Sequence, residues 1–259
     1  MRAAVTEEEA KEAILARVGA ELSMWASAYG RMKEAVKEVC AISVRYGISP
    51  KSFRFSADRN LEREVDKVLS GMVSAILSDM EEYAESLEAE SPGGGFVPYL
   101  HGEDHGSTFE ERLSTYKERF KYELEVAIAA GLLLGKGAQS ITSSILSGMM
   151  SPYGNPDFRK AMGKGLAAAR LAARGAGPWK GQSPSAANSV SLLVKTAVGA
   201  MWMHGMYRSA LDGGMRGFVS FPGSSSPCGH CASLAGKAQP MEDFPGLYHP
   251  RCKCYFLFF

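Results

Sequence analysis

The sequence lacks a hydrophobic run long enough to cross a membrane. Its longest apolar stretch, residues 126–135, has about half of the roughly 20 residues that a transmembrane helix needs. Residues 1–6 lack the apolar core of a signal peptide, and acidic residues follow them directly. We therefore expect a soluble protein that is made in the cytoplasm and has no membrane segment.

Motifs of common catalytic sites are also missing. Residues 131–137 place a lysine among glycines, but the glycine spacing is not that of a phosphate-binding loop, and no Ser or Thr follows the lysine. No serine occupies a strand–turn–helix elbow. Residues 101–105 hold two histidines and two carboxylates, yet their glycine-rich loop favours solvent exposure over metal binding. We therefore expect that the protein is not an enzyme.

The chain also has little net charge, although its charges are unevenly distributed. Its 259 residues carry a formal charge of +1, and 46% of them are hydrophobic, which is typical of a globular protein and excludes intrinsic disorder. Residues 1–130 hold 16 Lys/Arg against 24 Asp/Glu, whereas residues 131–259 hold 13 against 4. This asymmetry indicates two surfaces with different partners.

Apolar residues recur at helical spacing through most of the chain. Thr6 and Glu9 have the spacing of a capping box, and a stripe along residues 14–39 predicts a long first helix. A stripe along residues 61–87 predicts a second helix, packed against the first as a hairpin or against a partner's helices. Residues 91–107, rich in Gly and Pro, are predicted to form a loop.

The rest of the chain predicts shorter helices and little β-structure. We expect a mainly α fold, in which long N-terminal helices form a hairpin or bundle. A helical domain follows and ends in a small, β-containing, Cys/His-rich C-terminus that resembles zinc knuckles. The predicted domains are an acidic helical interaction region over residues 1–125 and a second domain over residues 126–259. Further helices are predicted over residues 108–134, 141–150, 156–174 and 190–211, and a strand over residues 218–221.

Four of the five cysteines lie in the last 32 residues. Cys228 and Cys231 form one close pair, Cys252 and Cys254 form another, and 20 residues separate the pairs. This is the spacing of a structural zinc site in which two knuckles supply two thiolates each. We predict that these four cysteines bind zinc, with His249 as an alternative ligand because the second pair is unusually close.

Two other interpretations of the cysteines stay open at this point. Disulfides are one alternative, although synthesis in the cytoplasm disfavours them. Dithiol redox chemistry is another, because Cys228-Gly-His-Cys231 is the motif of protein disulfide isomerases. That chemistry requires a thioredoxin-like βαβ frame, which the sequence does not predict.

The C-terminal motifs resemble a known family. They are Cys228-x-x-Cys231, Leu234-x-Gly236, Glu242-Asp243-Phe244 and His249-Pro-Arg-Cys252-Lys-Cys254. Together they are similar to the C-terminal signature of the Mu F-like minor head proteins of tailed bacteriophages. The glycine break and helix start at residues 135–145 also resemble that family, so the similarity covers about residues 125–254. Lys195-Thr-Ala197 departs from the Arg-Thr-Glu that often opens the family's last helix.

The resemblance implies a structural virion protein. Such a protein is bound near the portal vertex inside the capsid in several copies per virion, and acts in head morphogenesis or genome delivery. Its implied partners are the portal protein, the major capsid or scaffolding protein, and packaged DNA. Nothing is implied for residues 1–120.

A basic segment suggests an alternative function. No acidic residue occurs over residues 158–211, and five cations of this segment would share an arc of about 140° on one helix. Such a stripe could neutralise DNA phosphates or contact an acidic protein, so the alternative is a zinc-containing nucleic-acid-binding module. The five cations are Arg159, Lys160, Lys164, Arg170 and Arg174.

Overall fold

A computed structural model describes residues 4, 6–90, 94–103, 106–164, 185–250 and 252–259. These ranges are mainly helical and include a small sheet near the C-terminus, which confirms the predicted fold class. Their helices are α1 (Glu7–Arg45), α2 (Arg59–Glu90), α3 (Phe96–His101), α4 (Phe109–Leu133), α5 (Ala138–Gly148), α6 (Pro156–Gly163), α7 (Ala186–Asp212) and α8 (Gly229–Leu234). Their strands are β1 (Gly217–Phe221), β2 (Ala238–Pro240) and β3 (Tyr255–Phe258).

The predicted start of the first helix is confirmed in atomic detail. The Thr6 backbone N–H donates to the Glu9 carboxylate over 3.0 Å, and the Glu9 N–H donates to the Thr6 hydroxyl over 3.2 Å. This reciprocal pair satisfies two N–H groups that have no partner within the helix.

One predicted loop is wrong in part, because residues 91–107 contain the short helix α3. Pro98 is the third residue of α3, where the proline costs no internal hydrogen bond because the first-turn N–H groups have no helical partner. Phe96 and Leu100 lie four residues apart on one face and are both buried, so burial stabilises a segment whose composition favours a loop.

The predicted basic helix is only partly within the described ranges. Its first part is α6, which extends to Gly163. The remainder, including Arg170 and Arg174, lies outside the described residues. The shared arc of the five cations therefore stays a prediction.

The chain divides into two compact units, each made of separate segments. The cysteine unit contains Met1–Ala26, Ser78–Phe109 and Leu192–Phe259. The middle unit contains Ser27–Leu77 and Glu110–Ser191. The predicted division between residues 125 and 126 falls inside the middle unit, and as a division of function it stays a prediction.

The sheet lies in the cysteine unit and is antiparallel, in the order β2-β1-β3. Phe218 in its central strand faces Phe258 in β3 and is fully buried. The Phe244 ring packs 5.2 Å from that of Phe218 and 5.0 Å from that of Phe256. The Phe258 N–H also donates to the Ala4 carbonyl over 2.9 Å, so Ala4 contacts the outer edge of β3.

Buried polar contacts organise the middle unit. The Glu123 carboxylate accepts the Arg119 guanidinium N–H over 2.9 Å and the Ala186 N–H over 3.0 Å. It therefore caps the first turn of α7 with a negative charge, which a helix N-terminus favours. Among the described residues, no helix combines the length and the apolar character needed to cross a bilayer.

Candidate metal centre

The two cysteine pairs lie on different elements of the cysteine unit. Cys228 is the N-cap of α8, and its sulfur accepts the Cys231 N–H over 3.4 Å. Cys252 and Cys254 lie just before β3. A strand, β2, and the turn that carries His249 connect α8 to the second pair, so the chain leaves the first pair and returns to it.

The His249 imidazole lies between the sulfurs of the first pair. Its Nε2 atom is 3.4 Å from Cys228 Sγ and 3.3 Å from Cys231 Sγ. Tetrahedral zinc, with bonds of about 2.3 Å to sulfur and 2.0–2.1 Å to nitrogen, places such ligands about 3.5 Å apart. Nδ1 donates to the Pro250 carbonyl over 2.9 Å, which directs the Nε2 lone pair toward the sulfurs, as in metal-ligating histidines.

A second group of donors shares Cys231 with the first. The sulfurs of Cys231, Cys252 and Cys254 lie within 4.8 Å of one another, as do the donor atoms of Cys228, Cys231 and His249. All five predicted donors therefore meet at one cluster, with Cys231 common to both groups. Cys231, Cys252 and Cys254 are buried, whereas Cys228 is exposed.

The structure also shows whether disulfides form and whether the second histidine of this region, His230, joins the donors. All five cysteines are free thiols in the structure, so no disulfide joins the two pairs. His230, within the first cysteine pair, packs its ring edge against Tyr248 with 5.3 Å between the ring centroids. It belongs to neither of the two donor groups found among the described residues.

Hydrogen bonds and burial divide the thiols into two kinds. The Cys231 N–H holds the pKa of Cys228 below its ordinary value. Hydrogen bonds from Cys254 lower the pKa of Cys252 to about 5, and the same pairing, with burial, raises the pKa of Cys254. Burial raises the pKa of Cys231 to about 11. The lowered values favour thiolates, the form of cysteine that binds metals.

Two charged residues of α1 also reach this cluster, although neither belongs to the predicted site. The Arg17 guanidinium donates to the Cys252 carbonyl over 2.7 Å, and Lys253 donates to Glu21 over 3.2 Å. The sequence contains a signal for them, because Arg17 and Glu21 are spaced by four and no other charged residue occurs over residues 13–30. No nearby residue in the sequence indicates that Arg17 and Glu21 contact Cys252 and Lys253 at the other end of the chain.

The three predicted nucleic-acid-binding residues that the structure describes do not form part of this cluster. Arg159 and Lys160 are exposed on α6, and the exposed Lys164 follows its end. The described part of the basic segment therefore presents positive charge to solvent, but DNA binding stays a prediction.

Comparisons with known proteins add no relative. No family model, curated protein or solved structure matches the chain. The resemblance to Mu F-like minor head proteins therefore depends on the C-terminal motif residues themselves.

Proposed function

We propose that this chain is a structural minor head protein of a tailed bacteriophage whose C-terminal part is closed by a zinc ion. The observation that carries the proposal is the meeting of both cysteine pairs and His249 at one cluster. Those are the residues of the His-Pro-x-Cys-x-Cys ending and its Cys-x-x-Cys partner. A closed set of protein ligands is a stabilising device and leaves no position for a substrate.

Cys228, Cys231 and His249 form the donor group whose spacing fits zinc, and we propose that one thiolate of the Cys252–Cys254 pair completes the ligand set. The S···N distances of 3.3 and 3.4 Å agree with a shared tetrahedral ion. Free thiols that are close to one another also suit zinc, a borderline-soft ion that prefers sulfur and nitrogen ligands. A bound zinc would connect α8, the His249 turn and the segment before β3.

The need for such a connection follows from the size of the sheet. Its strands have only 5, 3 and 4 residues, at or below the usual strand length of about 5–6 residues. Metal ligands that come from three segments join them and contribute free energy to folding. We therefore place zinc in a stabilising role, with assembly as the function of the whole chain.

Metal content tests the zinc part of the proposal. Protein purified under reducing conditions is expected to contain about one zinc per chain by elemental analysis. Cys231→Ser, which removes the sulfur shared by both groups, should lose the metal, whereas Cys40→Ser should keep it. Comparing Cys252→Ser with Cys254→Ser identifies the fourth ligand. Wild-type protein with reduced thiols and well below one zinc per chain contradicts this part.

Virion composition tests the assembly part. We propose that the protein contacts the portal protein near the portal vertex inside the capsid, with the capsid or scaffolding protein and packaged DNA as further neighbours. Mass spectrometry of purified particles should detect it in several copies per virion, and it should co-purify with the portal protein. A homogeneous monomer that is missing from purified particles overturns the assignment.

Specific observations also favour two other functions. The exposed cations Arg159, Lys160 and Lys164 favour DNA binding, which predicts an affinity that falls steeply with salt, and no binding at about 50 mM salt excludes it. The lowered pKa of Cys228 at the start of α8 favours dithiol chemistry, although the antiparallel β2-β1-β3 sheet is not the βαβ frame that such chemistry requires. That function predicts rapid alkylation of Cys228 in the metal-free protein, and slow alkylation excludes it.

A further inference from the structure

We propose that Arg17 is a positioning residue of the metal centre, which couples metal binding at the C-terminus to the docking of residues 7–26 of α1. The inference rests on the proposed metal site. It assigns to an N-terminal arginine a role in holding ligands that lie 235 residues away in the sequence.

Arg17 contacts the ligand segment, residues 252–254, directly. The Arg17 side chain is 1% exposed and its Nη2 donates to the carbonyl of Cys252 over 2.7 Å. A hydrogen bond from a charged, buried donor is among the stronger ones in proteins. The contact fixes the main chain between the two cysteines of the second pair.

A second contact holds the next residue of the same segment. Glu21 is one helical turn after Arg17, with Oε1 3.4 Å from Arg17 Nε. Its other oxygen lies 3.2 Å from Lys253 Nζ. Consecutive residues of the ligand segment are therefore held by consecutive turns of α1.

Two glycines leave the space that this arrangement requires. A Cβ atom at Gly199 would lie 2.9 Å from the Glu21 carboxylate oxygen, and one at Gly223 would lie 1.9 Å from the Lys253 carbonyl oxygen. A side chain at Gly223 would displace the main chain of the ligand segment, because the oxygen that it meets belongs to the backbone. The small size of these two glycines therefore allows Glu21 and the ligand segment to occupy their observed positions.

The positive charge of the buried Arg17 is incompletely compensated. A single carboxylate, Glu21, lies between the positive charges of Arg17 and Lys253. Among the described residues, Nε and Nη1 of Arg17 have no hydrogen-bond partner. Arg17 lines the same cavity as Cys254. Zinc with three or four thiolates carries a net charge of minus one or minus two, which offsets the cost of burying this positive charge.

The coupling must work in both directions. If α1 holds the ligand segment in place for the metal, then the bound metal must stabilise the docking of α1 by the same free energy. Metal occupancy should therefore change the protection of residues 7–26, although none of these residues is a ligand.

Co²⁺ binding by the full-length protein tests the inference, with the thiolate-to-cobalt absorption as the readout and zinc competition as a check. Arg17→Met should lower the Co²⁺ affinity about 10–100-fold, the usual effect of losing a residue that orients metal ligands. The matched control is Arg119→Met, which breaks the buried Arg–Glu pair of the middle unit and should leave the affinity unchanged. If Arg17→Met does not fold, Arg17→Lys, which keeps the charge without the planar fork, replaces it.

Hydrogen exchange of the wild-type protein, with and without zinc, gives an independent readout. We expect slower exchange of residues 7–26 when zinc is bound. Equal Co²⁺ affinity in the wild type and Arg17→Met, an equal loss in both arginine variants, or metal-independent exchange of residues 7–26 overturns the inference. Failure of the wild type to bind metal instead overturns the proposed zinc site.

Discussion

Each of the two units contains a buried Arg–Glu ion pair, but a different member of the pair binds the distant main chain in each unit. Arg17 and Glu21 in the cysteine unit, and Arg119 and Glu123 in the middle unit, are both Arg–Glu pairs spaced by four residues. All four side chains are at most 7% exposed. In each unit the pair holds main-chain atoms from a distant part of the sequence.

The difference lies in which member of the pair does the holding. In the middle unit the anion acts: Glu123 accepts the N–H of Ala186 at the start of α7. In the cysteine unit the cation acts, because Arg17 donates to the Cys252 carbonyl. A helix N-terminus attracts negative charge, whereas a metal–thiolate centre attracts positive charge. The member of each pair that reaches outward thus has the charge opposite to that of its target, a helix N-terminus in the middle unit and the proposed metal–thiolate centre in the cysteine unit.

Metal removal should have the largest effect of the changes considered and should alter amide exchange in the cysteine unit but not in the middle unit. Structural zinc contributes about 10–16 kcal/mol to the folding of small zinc fingers, so a phenanthroline chelator should strongly increase amide exchange in residues 228–259. Residues 110–160, whose buried pair needs no metal, should keep their protection. Hydrogen exchange measured by mass spectrometry follows both segments in one sample.

The non-chelating isomer of the same phenanthroline is the control for direct effects of the compound. An equal increase of exchange in both segments would mean that the metal stabilises the whole chain. No increase in residues 228–259 would mean that their fold is independent of metal.

The middle unit should be most sensitive to the loss of its anion. Glu123→Ala leaves the Arg119 cation buried without its carboxylate and removes the cap of Ala186. Breaking a buried ion pair in this way costs about 3–5 kcal/mol, to be measured by urea unfolding followed by circular dichroism. The matched control is Glu118→Ala on the same helix, because Glu118 is exposed and its ion pair with the partly buried Lys117 should contribute less than about 1 kcal/mol.

The double variant Arg119→Met with Glu123→Leu sharpens this result. Replacing both charges by apolar side chains removes the buried cation together with its carboxylate, so it should recover part of the stability that Glu123→Ala loses. A loss as large as that of the single variant would show that the main cost is the missing cap on α7.

Local sequence patterns predicted the features that depend on residues close together in the chain. Helical periodicity and the Thr6–Glu9 spacing predicted α1 and its cap, and both are confirmed. The spacing of the cysteine pairs also predicted which donors meet, because two knuckles separated by 20 residues are a recurrent zinc arrangement.

Contacts between distant segments were not predictable in this way. The pairing of Arg17 with Cys252 joins residues 235 positions apart, and no periodicity specifies such a partner. The helix α3 was missed for a related reason: its glycine- and proline-rich surroundings favour a loop, whereas the burial of Phe96 and Leu100 depends on the rest of the unit.

The capping box of α1 should give the smallest effect, because its residues are exposed. Thr6→Ala removes the hydroxyl that accepts the Glu9 N–H and should lower the free energy of unfolding by about 0.5–1 kcal/mol. The exchange of the first turn of α1 should increase, whereas that of α7, whose cap is the buried Glu123, should stay the same. Thr6→Ser keeps the hydroxyl and should behave as the wild type. An equal loss in both variants would show that the threonine methyl group, and not the hydrogen bond, stabilises this end of the helix.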